Sequence, residues 1–184
     1  FMGGGTPSLF SPQAIARLLS AVRARLPLLP ECEITLEANP GTFERERFAA
    51  YAQAGVTRLS VGVQSFDDAA LHALGRIHTA EQASAALSEA ARTFSTFNLD
   101  LMYALPAQTL AGLQHDLTQA LAFAPPHLSI YQLTDNLNTF FAKNPLHLLP
   151  DDDLVYHMLD AITAQTTSWS MEHSEVSASD RRGH

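Results

Sequence analysis

The sequence predicts an α/β fold in which repeated strand–helix units form a parallel sheet. Strand-like segments alternate with helical segments roughly every 25–35 residues, which is the rhythm of helical crossovers between parallel strands. No segment rich in glycine, serine or proline separates a second domain. A complete eightfold barrel needs ~250 residues. Because the chain has 184 residues and offers about five strands, we expect part of a barrel or a doubly wound sheet.

The composition restricts the classes of function. Hydrophobic residues make up 46% of the chain and charged residues 16%, as in a globular protein. The net charge is −8, and basic residues cluster only at Arg181-Arg182, so we expect no nucleic-acid partner. No apolar run is long enough for insertion into a membrane. The single cysteine, Cys32, excludes an internal disulfide framework and predicts a reducing, cytoplasmic location.

The predicted helices have recognisable start and stop signals. Ser11 is an N-cap residue followed by Pro12 at the first helical position, and Pro27 is expected to end this helix. Thr79 and Gln82 form a capping box. The helices are expected from Pro12 to about Leu26, Glu44 to Ala54, Asp67 to near Gly75, Thr79 to about Phe94, Thr109 to Pro125, and onward from Asp151.

The strands are expected at regular intervals between these helices, over Glu33–Glu37, Arg58–Gln64, Phe97–Tyr103 and Leu128–Leu133. Phe1-Met2 has the character of a strand, so we expect that a longer protein has lost its start. The polar, aperiodic segment 166–184 is expected to be a loop or frayed tail. We therefore divide the chain into a partial barrel, residues 1–165, and a divergent C-terminal tail, residues 166–184.

Polar and apolar residues alternate along these strands, whereas strands of a parallel sheet are usually apolar on both faces. Each polar face must look into a shared interior that is wet or filled by a ligand, because unpaired buried polar groups are costly. An antiparallel sheet with one solvated face would also alternate, but the intervening helices disfavour it. The polar faces carry Thr35, Glu37, Ser60, Gly62, Gln64, Asn98, Asp100, His127, Ser129 and Tyr131.

Three consecutive glycines, Gly3 to Gly5, precede Thr6-Pro7. They allow the backbone to approach a ligand closely, although a flexible turn would have the same composition. The stretch matches neither a dinucleotide fingerprint nor a phosphate-binding loop. The eight histidines show no metal-ligand spacing, so no zinc site is expected.

Four side chains are candidates for ligand contact, each with a plainer alternative. Glu37 is suited to a ligand ammonium group or is a surface charge. Asp100, in the middle of an apolar strand, needs a partner such as ribose hydroxyls. Gln64 is a ligand contact or a satisfied core amide. Arg76 taken alone is a surface cation.

Five motifs together resemble one family, the radical S-adenosylmethionine (SAM) group that contains oxygen-independent coproporphyrinogen III oxidase and its heme-chaperone relatives. The resemblance covers roughly residues 1 to 155, and Leu74–His78 with Leu149–Asp153 are more similar to the chaperone branch. The motifs are Gly3–Pro7, Glu37–Pro40, Ser60–Phe66, Leu74–His78 and Asp100–Thr109.

The resemblance implies a partial TIM-type (βα)6 radical SAM barrel, truncated at the N-terminus, that in the complete protein holds SAM and a [4Fe-4S] cluster. It also implies heme or a porphyrin as a further ligand and a client protein that receives heme. Asp100 matches the position at the SAM ribose. The matching SAM-contacting positions are Gly4, Gly5 and Thr6 at the methionine end, with Glu37, Gln64, Arg76 and Asp100 elsewhere around the cofactor.

The chain departs from the family at several positions. The family's three cluster cysteines, spaced C-x3-C-x2-C, lie upstream of the glycine turn, and Cys32 alone cannot replace them. This chain by itself is therefore not expected to hold the cluster or to be catalytically active. Ala104 stands where the family has glycine, Asn136 stands where it has an acidic residue, and His173–Ser177 matches only half of its downstream motif.

The resemblance favours a radical SAM heme chaperone that lacks its cluster-binding segment. One alternative is an oxygen-independent coproporphyrinogen III oxidase of porphyrin biosynthesis, which turnover of coproporphyrinogen by the full-length protein would distinguish. Another alternative is a non-catalytic heme-binding or interaction module, or a degenerate barrel without a ligand.

Overall fold

The computed structural model describes residues 1–42, 45–134, 148–175 and 177–181. The helices are α1 (Pro12–Arg23), α2 (Arg45–Ala54), α3 (Asp68–Ala73), α4 (Ala80–Thr93), α5 (Leu110–Ala122) and α6 (Asp152–Ser168). The strands are β1 (Thr35–Ala38), β2 (Arg58–Gln64), β3 (Thr96–Tyr103), β4 (His127–Gln132), β5 (Met171–Glu175) and β6 (Ala178–Arg181). Short 3-10 turns cover Pro7–Leu9 and Pro40–Thr42.

The strands form one six-stranded sheet in the order β1-β2-β3-β4-β6-β5. The first four are parallel, and helices connect them, which confirms the predicted α/β organisation. Met2 makes an isolated parallel bridge to Leu36 instead of belonging to a full strand. Because consecutive parallel strands end on the same side, the ends of β1, β2 and β3 lie next to one another.

The core lies between the apolar face of the sheet and the helices. Leu36, Leu59 and Leu99 on neighbouring strands are fully buried. Phe48 of α2 and Phe94 after α4 pack edge to face with ring centroids 6.5 Å apart. The predicted alternation follows from this arrangement, since only one face of each strand contacts the helices.

The helix starts agree with the predicted caps. The Ser11 side chain accepts a hydrogen bond from the Ala14 N–H, and Thr79 and Gln82 form the predicted capping box. The start predicted at Glu44 lies outside the described residues. The first helix ends at Arg23, earlier than predicted, and Leu18 and Leu26 are 50% and 55% exposed. Pro27 disfavours helical geometry at the residue before it, so the final turn is not extended.

The expectation of a loop or frayed tail after residue 165 is wrong. Helix α6 continues to Ser168, and β5 and β6 form an antiparallel hairpin whose second strand pairs with β4. A ring nitrogen of His127 contacts the Asp180 carboxylate, and the Arg181 N–H donates to the Pro126 carbonyl over 3.0 Å. The hairpin supplies hydrogen-bond partners to β4, which would otherwise present an unpaired edge. The division of the chain at residue 165 stays a prediction.

Candidate functional site

A polar cleft lies along the inner face of the parallel sheet. It consists of two adjoining cavities of 660 and 260 Å³. Glu37, Ser60, Gln64 and Asp100 line both cavities. The polar faces predicted from the alternation therefore do share one interior space.

The glycine turn closes one side of the cleft. Gly4 and Gly5 have φ angles of +86° and +65°, which glycine adopts at little cost. The Gly4 N–H donates a hydrogen bond of 3.1 Å to Oε2 of Glu37. A Cβ at Gly3 would lie 2.7 Å from Oε1 of Glu37 and 2.7 Å from the Phe1 ring. The backbone can lie against the carboxylate only because residue 3 has no side chain.

The turn is fastened to the core through a tyrosine. Tyr51 of α2 is fully buried, and its hydroxyl lies 2.8 Å from the carbonyl oxygens of both Ser8 and Phe10. Tyr51 belongs to the hydrophobic core, so these hydrogen bonds fix the segment that follows the glycines against α2.

Asp100 lies in a hydrogen-bond network of side chains from β2, β3 and β4. The Ser60 hydroxyl donates to Oδ2 of Asp100 over 3.0 Å, and Nδ2 of Asn98 donates to Oδ1 over 2.6 Å. The Ser129 hydroxyl donates to Oδ1 of Asn98 over 3.1 Å. Burial raises the pKa of Asp100 to about 6, the hydrogen bonds from Ser60 and Asn98 oppose this rise, and the Glu37 charge adds to it.

Gln64 ends β2 in an unusual conformation. Its φ angle is +73°, and the pairing between β2 and β3 shifts register between Gly62 and Gln64. The side chain is 9% exposed and lines both cavities. Its amide forms no hydrogen bond with any side chain or backbone group in the described part of the protein. The amide opens onto the cleft and is available to a ligand.

Arg76 lies on the turn after α3 and lines the smaller cavity while remaining exposed. Gly75, immediately before it, has a φ angle of +69° and reverses the chain. Within the described ranges, the guanidinium forms no hydrogen bond or ion pair with another residue. The cation is therefore available to an anionic group.

Six of the seven predicted cofactor-contacting residues line the smaller cavity: Gly5, Thr6, Glu37, Gln64, Arg76 and Asp100. The seventh, Gly4, lies beside it through its bond to Glu37. Their contacts with a cofactor stay predictions.

Several polar residues that line the larger cavity are not among the predicted cofactor contacts: Asn98, Ser129, Arg58, His127 and Asp180. The first four could have been found from the alternation alone. Asp180 could not, because the sequence contains no sign of the hairpin that carries it.

The described residues include no group of three or more histidine, cysteine, aspartate or glutamate side chains that could hold a metal ion. Cys32 precedes β1, whereas Glu37 lies near the other end of that strand. None of the helices in the described ranges is both long and apolar enough to cross a membrane. Asn136 lies outside the described residues, so its substitution has no structural account.

The sequence is similar to curated proteins about twice its length. It is 48% identical to heme chaperone HemW of Escherichia coli, over all of this chain and 49% of that protein. It is 47% identical to heme chaperone HemW of Haemophilus influenzae, over all of this chain and 48% of that protein. It is also 42% identical to mouse mitochondrial radical S-adenosyl methionine domain-containing protein 1, over all of this chain and 42% of that protein. The chain thus spans about half the length of these relatives.

Solved structures show the same architecture. Coproporphyrinogen III oxidase HemN from Escherichia coli, a radical SAM enzyme, superposes with a TM-score of 0.90 at 26% identity, over 99% of this chain and 43% of that one. Archaeal Elp3 from Methanocaldococcus infernus, with a TM-score of 0.68 at 18% identity over 87% of this chain and 43% of that one, shares the fold. These similarities confirm the predicted radical SAM partial barrel. The radical SAM superfamily model matches residues 1–120, and the chain belongs to that superfamily.

Proposed function

We propose that residues 1–165 form the SAM-binding part of a radical SAM heme chaperone. The observation that carries the SAM site is the convergence of two carboxylates, one guanidinium, one unpaired amide and a glycine turn around a cavity of 260 Å³. SAM and a [4Fe-4S] cluster are the cofactors of the superfamily to which the chain belongs. The heme-chaperone part of the proposal is supported by the names of the relatives that are 48% and 47% identical.

The charges around the cavity complement those of SAM. SAM carries a sulfonium cation, an ammonium group and a carboxylate. The cavity offers the carboxylates of Glu37 and Asp100 and the guanidinium of Arg76. The cavity therefore carries two acidic groups and one basic group, and the ligand carries two cations and one anion, a balance of charge that favours binding in a partly desolvated cleft.

The positions of these groups suggest an orientation for the cofactor. Oε2 of Glu37 accepts the hydrogen bond from the Gly4 N–H. Oε1 makes no hydrogen bond with another described residue and can accept one from the ligand ammonium. Arg76 and the backbone at Gly5 and Thr6 line the same cavity and suit the ligand carboxylate. Asp100, farther along the sheet, suits the ribose hydroxyls. The residues present therefore fit SAM.

The residues present do not fit the cluster. A [4Fe-4S] cluster is held by several cysteine thiolates, and the chain contains one cysteine. We therefore assign no cluster ligand to this chain, and we propose that it binds SAM without activating it.

A second candidate function is coproporphyrinogen oxidation. It is supported by the superposition on HemN at 26% identity. We favour the chaperone because the HemW relatives are nearly twice as similar in sequence.

SAM binding is tested by isothermal titration calorimetry on the 184-residue chain. We expect saturable binding by the wild-type chain and a loss of about tenfold in affinity for Asp100→Ala, which removes a hydrogen-bonded charged group. Asp160→Ala, an exposed acidic residue of α6, is the matched control and should bind as wild type does. Equal affinity of all three chains would remove Asp100 from the site, and no binding by wild type would contradict the SAM proposal.

Heme binding is tested separately by titrating the chain with hemin and following the Soret band. We expect a saturable spectral shift with one heme for each chain. A linear, unsaturated response would contradict heme binding by this part of the protein and would leave the SAM proposal standing.

A further inference from the structure

Gln64 adopts a backbone conformation that its own chemistry disfavours. A φ angle of +73° is unfavourable for a residue with a Cβ, and such conformations persist only when surrounding contacts impose them. The chain on both sides of Gln64 is held by buried side chains that do not line the cleft.

His78 holds the peptide before Gln64. Its Nε2 lies 3.0 Å from the carbonyl oxygen of Val63, and the side chain is 3% exposed. Because a carbonyl only accepts hydrogen bonds, Nε2 carries the proton. Burial lowers the pKa of His78, so the ring is neutral and this hydrogen bond does not depend on its charge. Nδ1 is buried without a partner among the described residues.

Asp116 holds the two residues that follow Gln64, through the Ser65 side chain and the Ser65–Phe66 peptide. It lies on α5 and is 2% exposed. Its Oδ1 accepts the Phe66 N–H over 2.8 Å, and its Oδ2 accepts the Ser65 hydroxyl over 2.7 Å. These two bonds from one rigid carboxylate fix the direction in which the chain leaves β2.

We propose that His78 and Asp116 are positioning residues that impose the left-handed conformation of Gln64 and thereby direct its amide into the SAM site. The inference rests on the proposed SAM site for its effect on binding. With the Val63 carbonyl held on one side and Ser65 and Phe66 held on the other, the path of the chain disfavours relaxation of Gln64 to an extended conformation. Without the bond from His78, the Val63 peptide is free to rotate, and Gln64 returns to the extended geometry that a strand residue prefers.

His78 also connects two parts of the site. It lies two residues after Arg76, on the same turn. A Cβ added to Gly41 would lie 3.2 Å from the Cβ of His78, so the backbone at Gly41 packs closely against this residue. A single hydrogen bond from His78 to Val63 therefore ties the turn that carries Arg76 to the strand that carries Gln64.

The test uses two variants at position 78 and one control variant at position 72, in the 184-residue chain. His78→Leu removes the donor, and His78→Gln places an amide N–H near the position of Nε2. His72→Leu makes the same chemical change at an exposed site on α3 and is the matched control. We expect SAM affinity, measured by calorimetry, to fall about tenfold in His78→Leu, to recover in His78→Gln, and to be unchanged in His72→Leu.

A double-mutant cycle with Gln64→Ala separates positioning from general destabilisation. If His78 acts through Gln64, most of the effect of His78→Leu on affinity should disappear once the Gln64 amide has been removed. Equal losses in both backgrounds would overturn the inference.

A readout independent of SAM comes from NMR of the ligand-free chain. The nuclear Overhauser effect between the amide proton and Hα of Gln64 is strong in the left-handed conformation and should weaken in His78→Leu. An unchanged signal would overturn the inference whether or not wild type binds SAM. A wild-type chain that does not bind SAM would contradict the proposed function only. Should His78→Leu not fold, His78→Asn, whose shorter amide does not reach Val63, takes its place with the same expected results.

Discussion

The backbone N–H of Gly4 donates a hydrogen bond to Oε2 of Glu37 across 33 residues of sequence. This bond joins the glycine turn to β1 and leaves the second oxygen of a carboxylate that lines the cleft without a hydrogen bond to another described residue. It therefore explains why a flexible glycine run is placed beside the cleft, and it makes Glu37 both a brace for the turn and a candidate ligand contact.

Replacing Glu37 should separate these two roles. Glu37→Gln keeps an acceptor for Gly4 but removes the charge that would face the SAM ammonium group. We expect SAM affinity to fall about tenfold while the midpoint of thermal unfolding changes little. Calorimetry and a thermal melt measure both quantities, with exposed Glu31→Gln as the control. Full affinity in Glu37→Gln would exclude a charge contact at this position.

Gly62→Ala should displace the Gln64 side chain. The added Cβ would lie 2.9 Å from Nε2 of Gln64, the free end of a flexible side chain, and 3.9 Å from the Ala38 carbonyl oxygen. The amide can move away at a cost in stability of about 1 kcal/mol or less. We expect weaker SAM binding with nearly unchanged unfolding, whereas Gly112→Ala, whose Cβ would meet only ordinary contacts, should leave SAM binding unchanged. A Gly62→Ala chain that binds SAM normally would contradict the role of Gln64.

Asp100 should make stability and binding depend on pH in opposite directions. Its pKa is raised from 3.8 to about 6, so the unfolded chain loses this proton first as the pH rises. The free energy of unfolding should therefore fall across that window, by on the order of 3 kcal/mol for this group. SAM affinity should instead rise with pH through about 6, because the ionised carboxylate is the better acceptor and attracts the cation.

Asp100→Asn tests the pH dependence of stability, because the asparagine side chain is neutral at every pH. Urea unfolding should show the variant more stable than wild type at about pH 8, with the difference closing near pH 4. A constant difference at all pH values would contradict the raised pKa.

Ala104→Gly should stabilise the protein. Ala104 is buried with a φ angle of +59°, a conformation that favours glycine, and glycine is the residue that the family resemblance implies here. Relief of this strain should exceed the greater entropy of glycine in the unfolded chain, for a net gain of about 0.5–1 kcal/mol. Urea unfolding measures the gain. Ala111→Gly, on the exposed side of α5, should show the opposite sign.

The helices could be predicted closely because their signals are local. Ser11 and Thr79 cap backbone groups within three residues of themselves, and these contacts form wherever the helix lies. The end of α1 was placed too far along, because apolar spacing at Leu26 continued beyond the last helical residue. Local periodicity alone does not reveal which apolar positions find a partner.

The candidate site was predicted in part. Polar alternation indicated a shared interior, and the motifs indicated which of its residues contact a cofactor. The hydrogen-bond partners that hold these residues in place could not be read from the sequence. Asn98 was one of several polar strand residues until the structure placed its amide between Asp100 and Ser129.

The sequence by itself determined the strand–helix order, the capped helices and the polar inner face, since each depends on residues a few positions apart. Only the tertiary structure decided that β6 (Ala178–Arg181) pairs with β4 and that Gln64 is left-handed. These features depend on contacts such as His127 with Asp180 and His78 with Val63, which join residues 53 and 15 positions apart. Side chains that far apart meet only after the sheet has assembled, so their partners cannot be read from neighbouring residues.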